Sequence, residues 1–89
     1  MPRVTFTQNL QRHVAIEPRD VEGATVREAL DRVFAEVPDA RGYVLDEQGA
    51  LRKHMTIYVG GRLIRDRATL ADEVPAGAEI HVFQALSGG

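Results

Sequence analysis

One stretch of this chain is compatible with only one kind of secondary structure. Val26, Ala29, Leu30, Val33, Phe34 and Val37 fall at i, i+3, i+4, i+7, i+8 and i+11, a single apolar stripe with a period of about 3.6 residues. Thr25 precedes the stripe and Glu28 follows three residues later, a capping box in which each side chain can satisfy an otherwise unpaired backbone amide. Pro38 has no amide hydrogen to continue the ladder and stops the helix. The opposite face carries Arg27, Glu28, Asp31, Arg32 and Glu36, with Glu28 and Arg32 spaced for an i,i+4 pair. A helix with one apolar face has to bury it against something, so the rest of the chain must supply a matching surface.

Alternating segments supply it. Arg3 to Gln8 places Val4 and Phe6 on one side and Thr5 and Thr7 on the other, and Arg12 to Glu17 repeats the device with Val14 and Ile16. The short polar connector predicts an antiparallel hairpin ended by Pro18. Tyr43 to Leu45 reads as a short edge strand, and Asp46-Glu47-Gln48-Gly49 as a turn with glycine in the left-handed region. Met55, Ile57 and Val59 form an inward face with Thr56 and Tyr58 outward. Gly60-Gly61 makes a tight turn, and Arg62-Leu63-Ile64 begins the return. Thr69 to Val74 reads as a single helical turn begun by Thr69, and Pro75-Ala76-Gly77 as a loop. Glu79 to Gln84 is the last strand, with Ile80 and Val82 inward and His81 and Phe83 outward. The fold class is therefore α+β: a mixed sheet of about four to five strands packed on one main helix.

The 89 residues suffice for one modest core, and an apolar fraction of 44% with 27% charged residues belongs to a folded domain rather than a disordered chain. A net charge of −2 offers no broad basic field, so nucleic acid is not an expected partner. No run is apolar and long enough to cross a bilayer and no secretory leader is visible, which sets the cytoplasm as the expected location and no membrane as a partner. The absence of cysteine excludes disulfides, thiolate metal sites and a cysteine nucleophile. His13, His54 and His81 are scattered without ligand spacing, so no metal site is expected. Ser87, the only serine, lacks the strand-turn-helix context of a hydrolase nucleophile.

The chain closes on Leu86-Ser87-Gly88-Gly89, directly after the last strand. Two glycines without Cβ atoms make a thin end that can enter a narrow site with its carboxylate foremost. The expected division is a domain over 1–85 and a flexible tail over 86–89. Lys53 is the only lysine against ten arginines, so an activated carboxylate would meet few amines of its own chain.

Val4, Phe6, the run Gly23-Ala24-Thr25-Val26-Arg27-Glu28-Ala29-Leu30, the run Thr56-Ile57-Tyr58-Val59-Gly60-Gly61 and the ending Ser87-Gly88-Gly89 together resemble the MoaD/ThiS family of sulfur carrier proteins, over essentially the whole chain. The stretch from Val44 to Arg52 followed by His54-Met55-Thr56-Ile57 looks most like the carriers that feed cysteine synthesis. The sequence departs from the family where Gly60 replaces a frequent Asn, and where Gln84 and Ala85 replace frequent prolines. The resemblance implies a ubiquitin-like β-grasp fold and a protein that is a co-substrate rather than an enzyme. An E1-like adenylating enzyme would use ATP to activate the Gly89 carboxylate, and a sulfide donor would displace AMP to leave a thiocarboxylate. A sulfur-accepting synthase would consume it in cysteine, molybdopterin, thiamine or specialised-metabolite synthesis. The carrier itself would bind no cofactor.

Two other classes fit the residues: a ubiquitin-like modifier joined to target lysines, and an interaction module without chemistry. If the helix covers one sheet face, then Tyr58, His81 and Phe83 lie on the uncovered one near the tail, where aromatic side chains can anchor a partner. Leu86, apolar and outside the core, is a further candidate contact.

Overall fold

The computed structural model describes residues 1–7 and 16–84. Among these residues seven elements follow in chain order: β1 (Arg3–Phe6), β2 (Arg19–Asp20), α1 (Val26–Glu36), α2 (Pro38–Val44), β3 (Met55–Val59), β4 (Arg62–Leu63) and β5 (Glu79–Gln84). The strands form one mixed sheet in the order β2-β1-β5-β3-β4, in which β1 and β5 run parallel at the centre and the other neighbours are antiparallel.

Helix α1 begins as its sequence dictates. The Thr25 hydroxyl accepts from the Glu28 amide at 3.2 Å, and the Glu28 carboxylate accepts from the Ala24 amide at 2.8 Å. That use of Glu28 takes it away from the i,i+4 pairing with Arg32. Val26, Ala29, Leu30, Val33 and Phe34 are buried against the face of the sheet that carries Val4, Phe6, Met55, Ile57, Val59, Ile80 and Val82. Gly23 leaves room for this packing, since a Cβ there would stand 2.7 Å from the Ala29 backbone nitrogen.

Four local readings are corrected. Pro38 ends α1 but also opens a second, shorter helix at its first turn, where a missing amide hydrogen costs nothing, so a seven-residue helix follows the main one. Tyr43 and Val44 therefore belong to α2 instead of an edge strand, and only Leu45 pairs, in a single bridge to Leu51. Residues 12–15 of the expected second strand lie outside the described residues, while Ile16 and Glu17 are not in a strand. The strand paired to β1 is Arg19–Asp20, immediately after Pro18, because proline cannot donate to the ladder and pairing starts beyond it. Finally, Thr69 to Val74 is not a helical turn. Asp66 caps a turn one step earlier, accepting from the amides of Ala68, Thr69 and Ala71 and from the Thr69 hydroxyl. The segment beyond runs beside the start of α1, with Val74 N–H donating to Ala24 at 2.8 Å.

The expected turns hold. The Asp46 carboxylate accepts from the Gln48 and Ala50 amides, and Gly49 adopts φ 83°. Gly60 and Gly61 take φ 56° and 85°, the pair of positive values that a two-residue hairpin turn demands.

Candidate functional site

Strand β5 carries the last described residue, Gln84. It lies between β1 and β3, with Met55 opposite Gln84 and Val59 opposite Ile80, so Gln84 stands at the end of the sheet where β3 begins. The Gln84 amide donates to the Thr7 hydroxyl at 3.3 Å, which holds the last described residue to β1. Leu86, Ser87, Gly88 and Gly89 lie outside the described residues.

Among the described residues, no element covers the face of the sheet away from α1, and that face is partly aromatic. Tyr58 and Phe83 are 36% and 38% exposed, large values for side chains of this size in the middle of a sheet. Their rings meet edge to face at 5.6 Å between centroids, and the His81 ring stacks on Phe83 at 6.1 Å. His81 is fixed on both nitrogens: Nδ1 lies 2.7 Å from the Thr5 hydroxyl and Nε2 lies 3.1 Å from the Glu79 carboxylate. The three residues expected on this face are therefore brought into one cluster beside the tail root. Ordered rings on a sheet can contact a partner without losing side-chain freedom, which favours their use as anchors.

Leu63 joins them and is 55% exposed. The sequence reading placed it only in a return strand. The signal was nevertheless present, because a two-residue Gly60-Gly61 turn sets Val59 opposite Arg62 and Tyr58 opposite Leu63, and cross-strand partners share a face. Among the described residues no group of three histidine, aspartate or glutamate side chains is placed to hold a metal ion, and no helix is long and apolar enough to cross a membrane.

One carboxylate is strongly perturbed. Asp66 is lowered to about 2, first by the Thr69 hydroxyl and then by the backbone amides it caps. It holds together the loop between β4 and β5 and lies apart from the aromatic face.

Comparison with known proteins agrees with this geometry. The ThiS family profile matches residues 4–89. A chain of the crystallised Amycolatopsis orientalis BexX/CysO complex is similar at 24% identity and TM-score 0.83, each chain covered in full at 100%. SAMP1 from Haloferax volcanii is 28% identical at TM-score 0.76, covering 98% of this chain and 97% of its own. CysO of Mycobacterium tuberculosis, at 19% identity and TM-score 0.81, covers 97% of this chain and 100% of its own, a likeness of fold. Curated protein sequences give no match.

Proposed function

The chain belongs to the ThiS family of ubiquitin-like carriers, and from that premise we propose that it is a sulfur carrier whose reacting group is the Gly89 carboxylate. The observation that carries the reading is that the family match runs through Gly88-Gly89, the residues that follow closely on Gln84 of the central strand. A rigid sheet and a thin glycine end divide the work between docking and reaction.

The chemistry belongs to the partners. An E1-like adenylating enzyme joins the carboxylate to the α-phosphate of ATP and releases pyrophosphate. Sulfide from a donor then attacks the acyl carbon, AMP leaves, and the end becomes a thiocarboxylate. On a synthase the thiocarboxylate sulfur attacks an electrophilic acceptor, and water then cleaves the acyl–sulfur bond, leaving the sulfur on the acceptor and regenerating the carboxylate. The carrier's contribution is proximity: contacts on Tyr58, Leu63, His81 and Phe83 hold the domain while the tail places one carboxylate against the nucleotide. None of these steps calls for a side chain of the carrier to act as acid, base or nucleophile.

Pyrophosphate exchange into ATP tests the first step. The adenylating enzyme should catalyse exchange with the whole chain and not with a chain lacking Gly89, whose end stops one residue short. Equal exchange with both would defeat the proposal.

A second reading is favoured by one observation, the 28% identity to SAMP1. A related crystal structure names SAMP1 of that organism a small archaeal modifier protein. As a modifier, this chain would share the adenylation step and then form amide bonds to lysines of other proteins in place of a thiocarboxylate.

A further inference from the structure

Five basic side chains form a belt at one end of the molecule. Arg27 lies over the 46–49 turn, its Nη2 donating to the Gly49 carbonyl at 2.6 Å and its Nε to the Thr69 carbonyl at 3.1 Å. Arg41 reaches the same place: guanidinium nitrogens of both arginines lie within 4 Å of the position a Cβ would take on Gly49. Arg52 is tied to the end of α2 by a 2.8 Å bond from Nε to the Gly42 carbonyl. Arg67 donates to the Arg52 and Met55 carbonyls, both at 2.7 Å. Lys53 stands exposed between these two anchors.

Two features single out this belt. The acids in the adjoining turns are fewer than the cations: Asp46, which accepts from two amides, Glu47, and Asp66 in its own turn stand against the five basic side chains. The belt also borders the tail root, because Met55, held by Arg67, is the register partner of Gln84. Guanidiniums already fixed by carbonyls lose little freedom when a partner binds them.

We infer that this belt docks an acidic surface of the adenylating enzyme, flanking the opening through which the tail passes. The inference rests on the carrier reading. A macromolecular surface fits better than a small anion, because the clefts beside Arg52 are also walled by Asp46 and Glu47, which repel free phosphate. An extended surface can meet the cations around them. Since the belt and the aromatic face both adjoin the tail exit, one partner can engage the two together, the rings supplying contact area and the belt steering the approach.

Lys53→Glu and Arg41→Glu test this with the whole chain and the purified adenylating enzyme, read as affinity across a salt series and as melting temperature. Arg32→Glu, on the exposed side of α1 in a cleft with Glu22 and Glu28, is the control with the same change in net charge. Each belt variant should weaken binding about tenfold at low salt, with the gap closing as salt screens it, and with unchanged melting temperature. Arg32→Glu should bind as the wild type does. Wild-type affinity in both belt variants would overturn the inference, as would equal weakening by Arg32→Glu or an effect confined to the acceptor synthase. A wild-type chain that binds but is never adenylated would overturn the carrier reading, while the same affinities still decide the belt.

Discussion

Deleting the same three carbons from two leucines should separate the covered and uncovered sides of this molecule. Leu30 is 0% exposed on α1, and Leu63 is 55% exposed on the opposite side of the sheet. Three methylene-sized groups at about 0.8 kcal/mol each give about 2.4 kcal/mol for Leu30→Ala before any cavity is counted. The cavity adds to this where the surroundings cannot close, and measured Leu-to-Ala changes run from about 2.7 to 5 kcal/mol. Closure is restricted here. The start of α1 is held by Val26 N–H to Asp72 at 3.0 Å and Arg27 N–H to Leu70 at 2.9 Å, and its end by the Arg19–Glu36 pair at 2.6 Å. A loss of about 3 to 5 kcal/mol is expected, a large share of the roughly 4 to 13 kcal/mol available to a domain this size. Leu63→Ala should cost under about 1 kcal/mol, since half of its surface is already in water. Urea titration followed by circular dichroism measures both, and an unchanged m-value keeps the comparison valid. Equal costs, or a Leu30→Ala loss below about 1 kcal/mol, would refute the assignment of the two faces.

Three further outcomes follow from the structure. Gly60→Asn should be neutral or stabilising by a few tenths of a kcal/mol in thermal melts, because Asn suits the positive φ of a two-residue hairpin turn and the nearest atom to a new Cβ is 3.7 Å away; a loss above about 1 kcal/mol would contradict the turn. Asp66 is depressed in the folded state, so its contribution to stability is present above the ordinary carboxylate value near 3.8 and lost as pH falls through about 2. Thr69→Ala removes the largest cause and should move the Asp66 midpoint upward in a carboxyl carbon NMR titration; an unmoved midpoint would deny that hydroxyl its role. Phe83→Asp should weaken binding to the adenylating enzyme at least tenfold while leaving the melting temperature within a few degrees, the pattern expected of an exposed anchor.

The elements with strong periodicity were legible before any coordinates. The capping box at Thr25, the α1 stripe, the inward set Met55, Ile57 and Val59, and the bounds of β5 all follow from spacing, because each is a local pattern repeated over several residues. What was missed depends on single residues whose meaning is set from a distance. Pro38 can end one helix or begin another, and only the burial of Ala40 and Val44 decides for the second. Thr69 and Asp66 are both capable caps, and the carboxylate wins with two oxygens against one hydroxyl. At the candidate site, Tyr58, His81 and Phe83 were readable from strand alternation, whereas Leu63 needed the turn to be counted as a register. The basic belt was invisible, since Arg27, Arg41, Arg52 and Arg67 are far apart in sequence, and three of them, Arg27, Arg52 and Arg67, are held in place by bonds to backbone carbonyls.

The central claim is that the end of this chain carries sulfur, and intact-mass spectrometry of the charging reaction tests it most directly. With the adenylating enzyme, ATP and a sulfide source, the protein should gain the mass difference between sulfur and oxygen, and fragmentation should place that gain in the peptide after Arg67, at Gly89. A chain without Gly89 should fold with the same circular dichroism and gain nothing. Equal gain in the shortened chain, or amide conjugates to lysines of other proteins with no thiocarboxylate at any time, would contradict the account.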